Sequence, residues 1–285
     1  MIGATLAGVA YPTLAAPLQP LLPVLVAGLI FTGFYGFSLG EATEQRVSLP
    51  VVASLLCLYL LVPVALYPVA AAVLSGEMLL GVLVVLSAPL AAGSSIIWTR
   101  LGGGNTVLTT IVVLASMLLA PLVMPSLITL FADSAVEVSA SALILELGAI
   151  VLAGGALAYV VPDGSVSESQ LDGFSIATIG ALIYAGVGGS TLALEPSQLA
   201  FVGAIGAAAI GLSAAVAYGL YVHGMGQDDC VTVLFSSSMK NMSVSVMIGA
   251  VLGGGTIVAS ITAFYVVQQL VSSSLVRHLD AATSG

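Results

Sequence analysis

Apolar stretches on the scale of a membrane crossing, about 20 residues, recur along this chain with short polar breaks between them. They predict helices near residues 2–17, 21–39, 49–74, 78–98, 105–131, 140–161, 173–192, 197–222, 230–251 and 255–276. That makes ten crossings, or nine if the short first stretch, interrupted by Pro12, does not span. The predicted architecture is an all-α integral membrane protein with no soluble domain. Residues 1–161 hold the first five-helix repeat with its link to helix 6, and residues 162–285 hold the remainder of the second. The longest polar interval, PDGSVSESQLDG from Pro162 to Gly173, lies at that boundary. Five is odd, so a second group of five enters the bilayer from the opposite side, and a 5+5 inverted repeat follows if the halves are related.

Two segments break the apolar pattern in the same way. APLAAGSSIIWTRLGGGN in the fourth and FSSSMKNMSVSVMIGAVLGGG in the ninth both run from an apolar flank through small polar residues to Gly-Gly-Gly. Small or polar interruptions in corresponding segments of two halves point to a transporter binding site at mid-membrane.

Composition supports this picture. Of 285 residues, 59% are hydrophobic and 6% charged, against roughly 25% charged in soluble domains. Asp and Glu outnumber Lys and Arg by 13 to 4, for a formal charge of −9, which argues against nucleic acid as a partner. Acidic breaks with few lysines fit a prokaryote adapted to high salt. Cys57 and Cys230 lie in or beside apolar stretches and form no disulfide framework. Arg46, Arg100 and Arg277 follow the second, fourth and tenth segments, so all three share one side, cytoplasmic by the positive-inside tendency. The expected address is the plasma membrane. No cofactor motif and no protein partner is evident.

From the second segment onward the chain resembles the bile acid:sodium symporter family. The resemblance is carried by GFSLGEATEQ (36–45), LLVPVALYP (60–68), SAPLAAGSSIIWTRLGGGNTVLTT (87–110), LLAPLVMPSLITL (118–130) and MKNMSVSVMIGA (239–250). It implies a panel domain packed against a core domain, with helices 4 and 9 unwinding and crossing. Sodium is then expected behind that crossover and an organic anion in front. The departures from the family pattern are informative. A Ser-Asn pair on helix 4 falls on Ser94 and Ser95, and of two hydroxyls on helix 5 Thr109 keeps one while Val113 replaces the other. A Gln of the third helix falls at about Leu58. A Glu-x-x-x-Gln-Asn pattern in the ninth helix becomes Ser236, Lys240 and Asn241, and no Glu or Asp occurs from 230 to 251.

Sodium sites are built from oxygen ligands, usually with a carboxylate among them, so no metal is expected here beyond a residual sodium site. Lys240 is the only lysine in the chain and sits at the centre of an apolar stretch. A charge there costs about 2.5–3.5 kcal/mol on insertion scales, so a pathway or a partner is the default explanation. An ammonium at that position stands in for the coupling cation. If it loses its proton in the cycle it couples transport to protons; if it stays charged it neutralises an anionic substrate with no coupling ion. Glu146, about seven residues into the sixth segment, is the second candidate for a proton-linked role. Ser94, Ser95, Thr109, Ser236, Ser237, Ser238, Lys240 and Asn241 form the candidate substrate and ion set.

Three other readings stand beside this one. A sodium-coupled organic anion symporter would use Thr109 and main-chain carbonyls. A snorkelling Lys240 would need a later start to the ninth helix. Ser236 and Lys240 are spaced i, i+4, which places a Ser/Lys hydrolase dyad on one helix face. The expectation is a secondary transporter of a small organic anion, with the lipid bilayer as its surroundings, rather than an enzyme.

Overall fold

The computed structural model describes residues 3, 7, 8, 10, 11, 13, 16–35, 48–131, 140–188, 195–252 and 255–283. Most of the predicted 2–17 helix, Arg46 and the GFSLGEATEQ stretch lie outside the described residues. The helices are α1 (Leu22–Phe34), α2 (Leu49–Ala71), α3 (Gly76–Ser87), α4 (Ala92–Leu101), α5 (Thr106–Phe131) and α6 (Ala140–Val160), then α7 (Glu168–Gly188), α8 (Pro196–Val222), α9 (Gln227–Ser238), α10 (Met242–Val251) and α11 (Gly255–Thr283). Among the described residues, α2, α5, α6, α8 and α11 are long and apolar enough to cross a membrane.

The predicted fourth and ninth segments are each two helices. α3 has 12 residues and α4 has 10; α9 has 12 and α10 has 10. At 1.5 Å per residue, 12 residues reach about 18 Å, just past the middle of a 30 Å hydrocarbon core. Each pair thus crosses in two halves. The order long helix, broken pair, long helix occurs twice, as α2, α3/α4, α5 and as α8, α9/α10, α11.

Local chemistry sets the boundaries. The Gly-Gly-Gly after α4 is a stop signal: Gly103 has φ 77°, a conformation that needs no Cβ, and Gly104 N–H closes the helix end on the Thr99 carbonyl at 2.8 Å. The next residue starts α5, since Asn105 Oδ1 accepts from Val107 N–H (3.1 Å) and Leu108 N–H (3.2 Å). α1, α2 and α8 carry a proline in the first turn, where its missing N–H is no loss. The PDGS link between α6 and α7 is short, and Tyr35 fastens it to α1. The Tyr35 hydroxyl donates to the Pro162 carbonyl (2.7 Å) and accepts from Val166 N–H (3.0 Å).

Small residues let the helices pack closely, as expected where lipid leaves little hydrophobic drive between them. A Cβ on Gly154 of α6 would lie 2.6 Å from the Ala27 carbonyl oxygen of α1. One on Gly81 of α3 would lie 2.7 Å from the Ser260 Cβ of α11. α1 packs on α6 and α7 to form one wall, and α7 also packs on α10 and α11, which joins the wall to a second group in which α3, α8, α9 and α10 pack around α11, α2 or each other. The crossover lies within this second group.

Candidate functional site

Two chain breaks meet at the crossover. Ala91 N–H donates to the Met239 carbonyl (2.9 Å) and Asn241 N–H to the Pro89 carbonyl (2.8 Å), so Leu90 and Lys240 pair as a single antiparallel bridge. The bridge satisfies main-chain groups that the breaks would otherwise leave bare inside a membrane. Leu90 N–H, the remaining donor on that side, goes to Ser116 Oγ on α5 (3.1 Å).

Lys240 is 1% exposed. Its Nζ donates to the carbonyls of Leu58 (2.7 Å), Leu86 (2.7 Å) and Ala88 (3.4 Å), and it lies 5.9 Å from the centroid of the Tyr59 ring. The ring face adds a cation–π contact. Tyr59 is in turn held by its hydroxyl, which donates to the Ser116 carbonyl at 2.6 Å. The Lys240 N–H donates to Gln268 Oε1 on α11 at 3.0 Å.

Both short acceptors are free for a reason written in the sequence. Within α2, residues Cys57–Leu61 wind as a π-turn, and Val62 N–H bonds to the Cys57 carbonyl rather than to Leu58. The next possible donor to Leu58 is residue 63, a proline without an N–H. At the end of α3 the same thing happens to Leu86: residue 89 is proline, and Leu90 N–H is already committed to Ser116. The ammonium therefore lies at the carbonyl end of a half-helix, where the helix dipole favours a cation.

A second cluster lies among α4, α5 and α9, toward the turn between α4 and α5. Ser236 Oγ donates to Thr109 Oγ1 (3.2 Å), which is 3.0 Å from Thr99 Oγ1, and all three residues are fully buried. Thr232 ties α9 to the start of α5, accepting from Asn105 N–H at 2.8 Å. Thr99, Thr232 and Asn105 are absent from the sequence-based set. Hydroxyls are too common in this chain for spacing alone to single them out. Ser237 and Ser238 donate to carbonyls one turn back in α9, at 2.6 and 2.7 Å, and Ser95 does the same in α4 at 2.5 Å. Those three act on their own helices.

The third feature is a cavity of about 550 Å³ between the α1–α7 wall and the first turns of α4 and α10. Ser94 and Asn241 line it, with Thr32, Ser175, Ser243 and Tyr265. Two half-helix N-termini open onto this space, and first-turn N–H groups have no acceptor within their own helix. α10 is capped by Asn241 Oδ1, which accepts from Val244 N–H at 3.1 Å, while α4 has no side-chain cap. Ser94 Oγ is buried with no hydrogen-bond partner among the described residues. An anion is the natural complement of such a surface. Lys240 does not line the cavity.

The predicted residues thus fall into three places rather than one. Glu146 is part-buried on α6, which packs on α1 and α5, and it makes no ion pair with Lys240, whose ammonium turns to α2 and α3. Ser236 and Lys240 share no hydrogen bond: the first turns to Thr109 and the second to main-chain carbonyls. The helix break between them removes the common face that i, i+4 spacing implies.

A crossover of two broken helices, polar groups buried behind it and an anion-compatible cavity in front are features of a membrane carrier. No individually curated protein matches this chain. The profile of the Sodium Bile acid symporter family matches residues 37–193, more than half of its length. The chain is a multi-pass membrane protein of the transporter type, and it belongs to the sodium bile acid symporter family.

Proposed function

We propose that this protein is a secondary carrier that moves a small organic anion by alternating access, with the Lys240 ammonium as a built-in substitute for the coupling cation. The observation that carries this is the Nζ held at 2.7 Å by the Leu58 and Leu86 carbonyls. A monovalent cation would be held by the same kind of oxygen ligands. The cation here cannot dissociate.

The anion assignment draws on the cavity, where two half-helix N-termini supply partial positive charge without any ion. The twofold order of long helix, broken pair and long helix supports a 5+5 inverted repeat of ten helices with panel and core parts, the α1–α6–α7 wall belonging to the panel. The Arg100 end is taken as cytoplasmic. Of the two roles open to the lysine, the fixed charge is favoured. The hydrogen-bond acceptors of Nζ among the described residues are all main-chain oxygens, which do not take up a proton at ordinary pH.

The test is uptake of a panel of labelled carboxylates into proteoliposomes, with sodium and proton gradients imposed separately. The expected outcome is uptake of at least one small carboxylate at a rate unchanged, within about twofold, when sodium is replaced by a large organic cation. Uptake that requires sodium would instead establish the ordinary symporter reading, with Thr109 and neighbouring carbonyls as ligands.

A further inference from the structure

With Lys240 sealed behind the crossover, other groups supply the full charges that face the cavity. Among the described residues that line it there is one cationic side chain, Arg100, and one carboxylate, Asp172. They come from opposite walls, Arg100 from the last turn of α4 and Asp172 from α7 near its N-terminal end. Both are exposed, and neither forms an ion pair with a described residue. The chain has only four Lys and Arg in all, so a cation with no ion-pair partner among the described residues, opposite an acid, is not background.

Distance decides what the two residues can do. Arg100 lies eight residues beyond Ala92, about 12 Å along the helix from the N–H groups at the crossover end of the cavity. A small carboxylate seated on those groups spans less than that, so it does not engage Arg100 and Asp172 as well. Arg100 therefore lies beyond the seat of the anion, and Asp172 is the one carboxylate among the described residues that line the facing wall.

We propose that the Arg100 end of the cavity is its mouth, and that Arg100 and Asp172 form an ion pair that shuts it when the α1–α6–α7 wall closes on α4. The open cavity holds the two charges apart and hydrated; approach of the walls brings them into contact over the trapped substrate. The inference rests on the carrier reading only in requiring that the cavity close, and its test needs no substrate.

Gly93 faces the cavity, and a side chain there would meet nothing within 4 Å. A Gly93→Cys variant in membrane vesicles can be labelled by a thiol reagent that does not cross the bilayer, applied to each face in turn. The native Cys57 and Cys230 are buried, so they stay unlabelled in folded protein and expose any variant that has unfolded. An exposed ion pair shifts a two-state balance modestly. Labelling from the Arg100 face is expected to rise about two- to fivefold in Arg100→Gln and in Asp172→Asn, and to return to the starting rate in the exchanged double variant Arg100→Asp/Asp172→Arg. Unchanged labelling in both single variants overturns the proposal, as does a rise that the exchange fails to reverse. If one single variant unfolds, the other and the double still decide. Expected labelling with no uptake of any carboxylate would overturn the substrate reading and leave the gate standing.

Discussion

Lys240→Ala is expected to cut uptake at least about tenfold, and a small primary alkylammonium ion added to the vesicles to restore part of it. Two opposed terms set the stability of the variant. Removing the side chain leaves the Leu58 and Leu86 carbonyls without their donor, at about 1–3 kcal/mol for each orphaned buried acceptor. It also relieves the burial of a charge, about 2.5–3.5 kcal/mol on insertion scales. The two nearly offset in overall stability, so the protein is expected to insert and to melt within about 5 °C of the wild type. What is lost is the link that ties α2 and the end of α3 to the crossover. Uptake is expected to fall at least about tenfold, the equivalent of one charge-assisted hydrogen bond. An alkylammonium that enters the space left by the side chain reproduces the missing head group with its donors. Uptake by Lys240→Ala within twofold of wild type, with no response to the amine, would show that the ammonium is mere filling.

Pro63→Ala is expected to lower transport without lowering stability. Proline inside a helix costs about 3 kcal/mol through its missing N–H and its clash with the preceding turn. Restoring an N–H at position 63 lets α2 close as a regular α-helix: Val62 N–H returns to the Leu58 carbonyl and the π-turn at Cys57–Leu61 is lost. The helix gains, and Lys240 loses one of its two short acceptors. A hydrogen bond to a charged group is worth about 1.5–3 kcal/mol, so uptake should drop by about tenfold or more. The same lost bond offsets part of the helix gain, leaving a net of about 0–1.5 kcal/mol, so the melting temperature should hold or rise by up to about 4 °C. A variant that is both less stable and less active would mean that Pro63 serves only packing. This opposition between stability and activity is what a strained functional site produces.

The sequence made some of this legible and hid the rest for identifiable reasons. Lys240 stood out because charge is rare in the apolar stretches, and Asn241 because it keeps the Asn of the family pattern; that Asn241 starts a separate helix is seen only in the structure. The two breaks could be located from small polar residues in corresponding segments. The partners of the ammonium could not: a carbonyl oxygen belongs to every residue, and only the hydrogen-bond pattern shows which ones are free. The third-helix position at about Leu58, where the family resemblance has a Gln side chain, does face the ammonium, but through its main chain. Pro63 and Pro89 were visible in the sequence, and reading them as residues that withhold donors would have pointed at Leu58 and Leu86. The dispersal of the hydroxyls was not legible. Ser237, Ser238 and Ser95 satisfy their own helices, while Ser236 and Thr109 meet Thr99, and neighbouring sequence cannot tell these fates apart. Arg100 was readable as an orientation marker; its place in the cavity wall depends on α4 being a separate half-helix.

The carbonyl cage around Lys240 also bears on energetics across the membrane. A sodium ion that travels with an organic anion contributes its own charge and gradient to each turnover. An ammonium fixed to the backbone makes the same excursion in both directions and cancels from the cycle. On the proposed reading the net charge moved is then that of the substrate alone. Across a bilayer with its interior negative by about 100 mV, each elementary charge is worth about 2.3 kcal/mol, close to a fiftyfold bias against holding a monoanion inside. Replacing a mobile cation by Lys240 would thus turn a device for accumulation into one that favours release, unless a second anion returns in exchange. A potassium diffusion potential imposed on the reconstituted vesicles, inside negative, should accordingly speed efflux and suppress uptake.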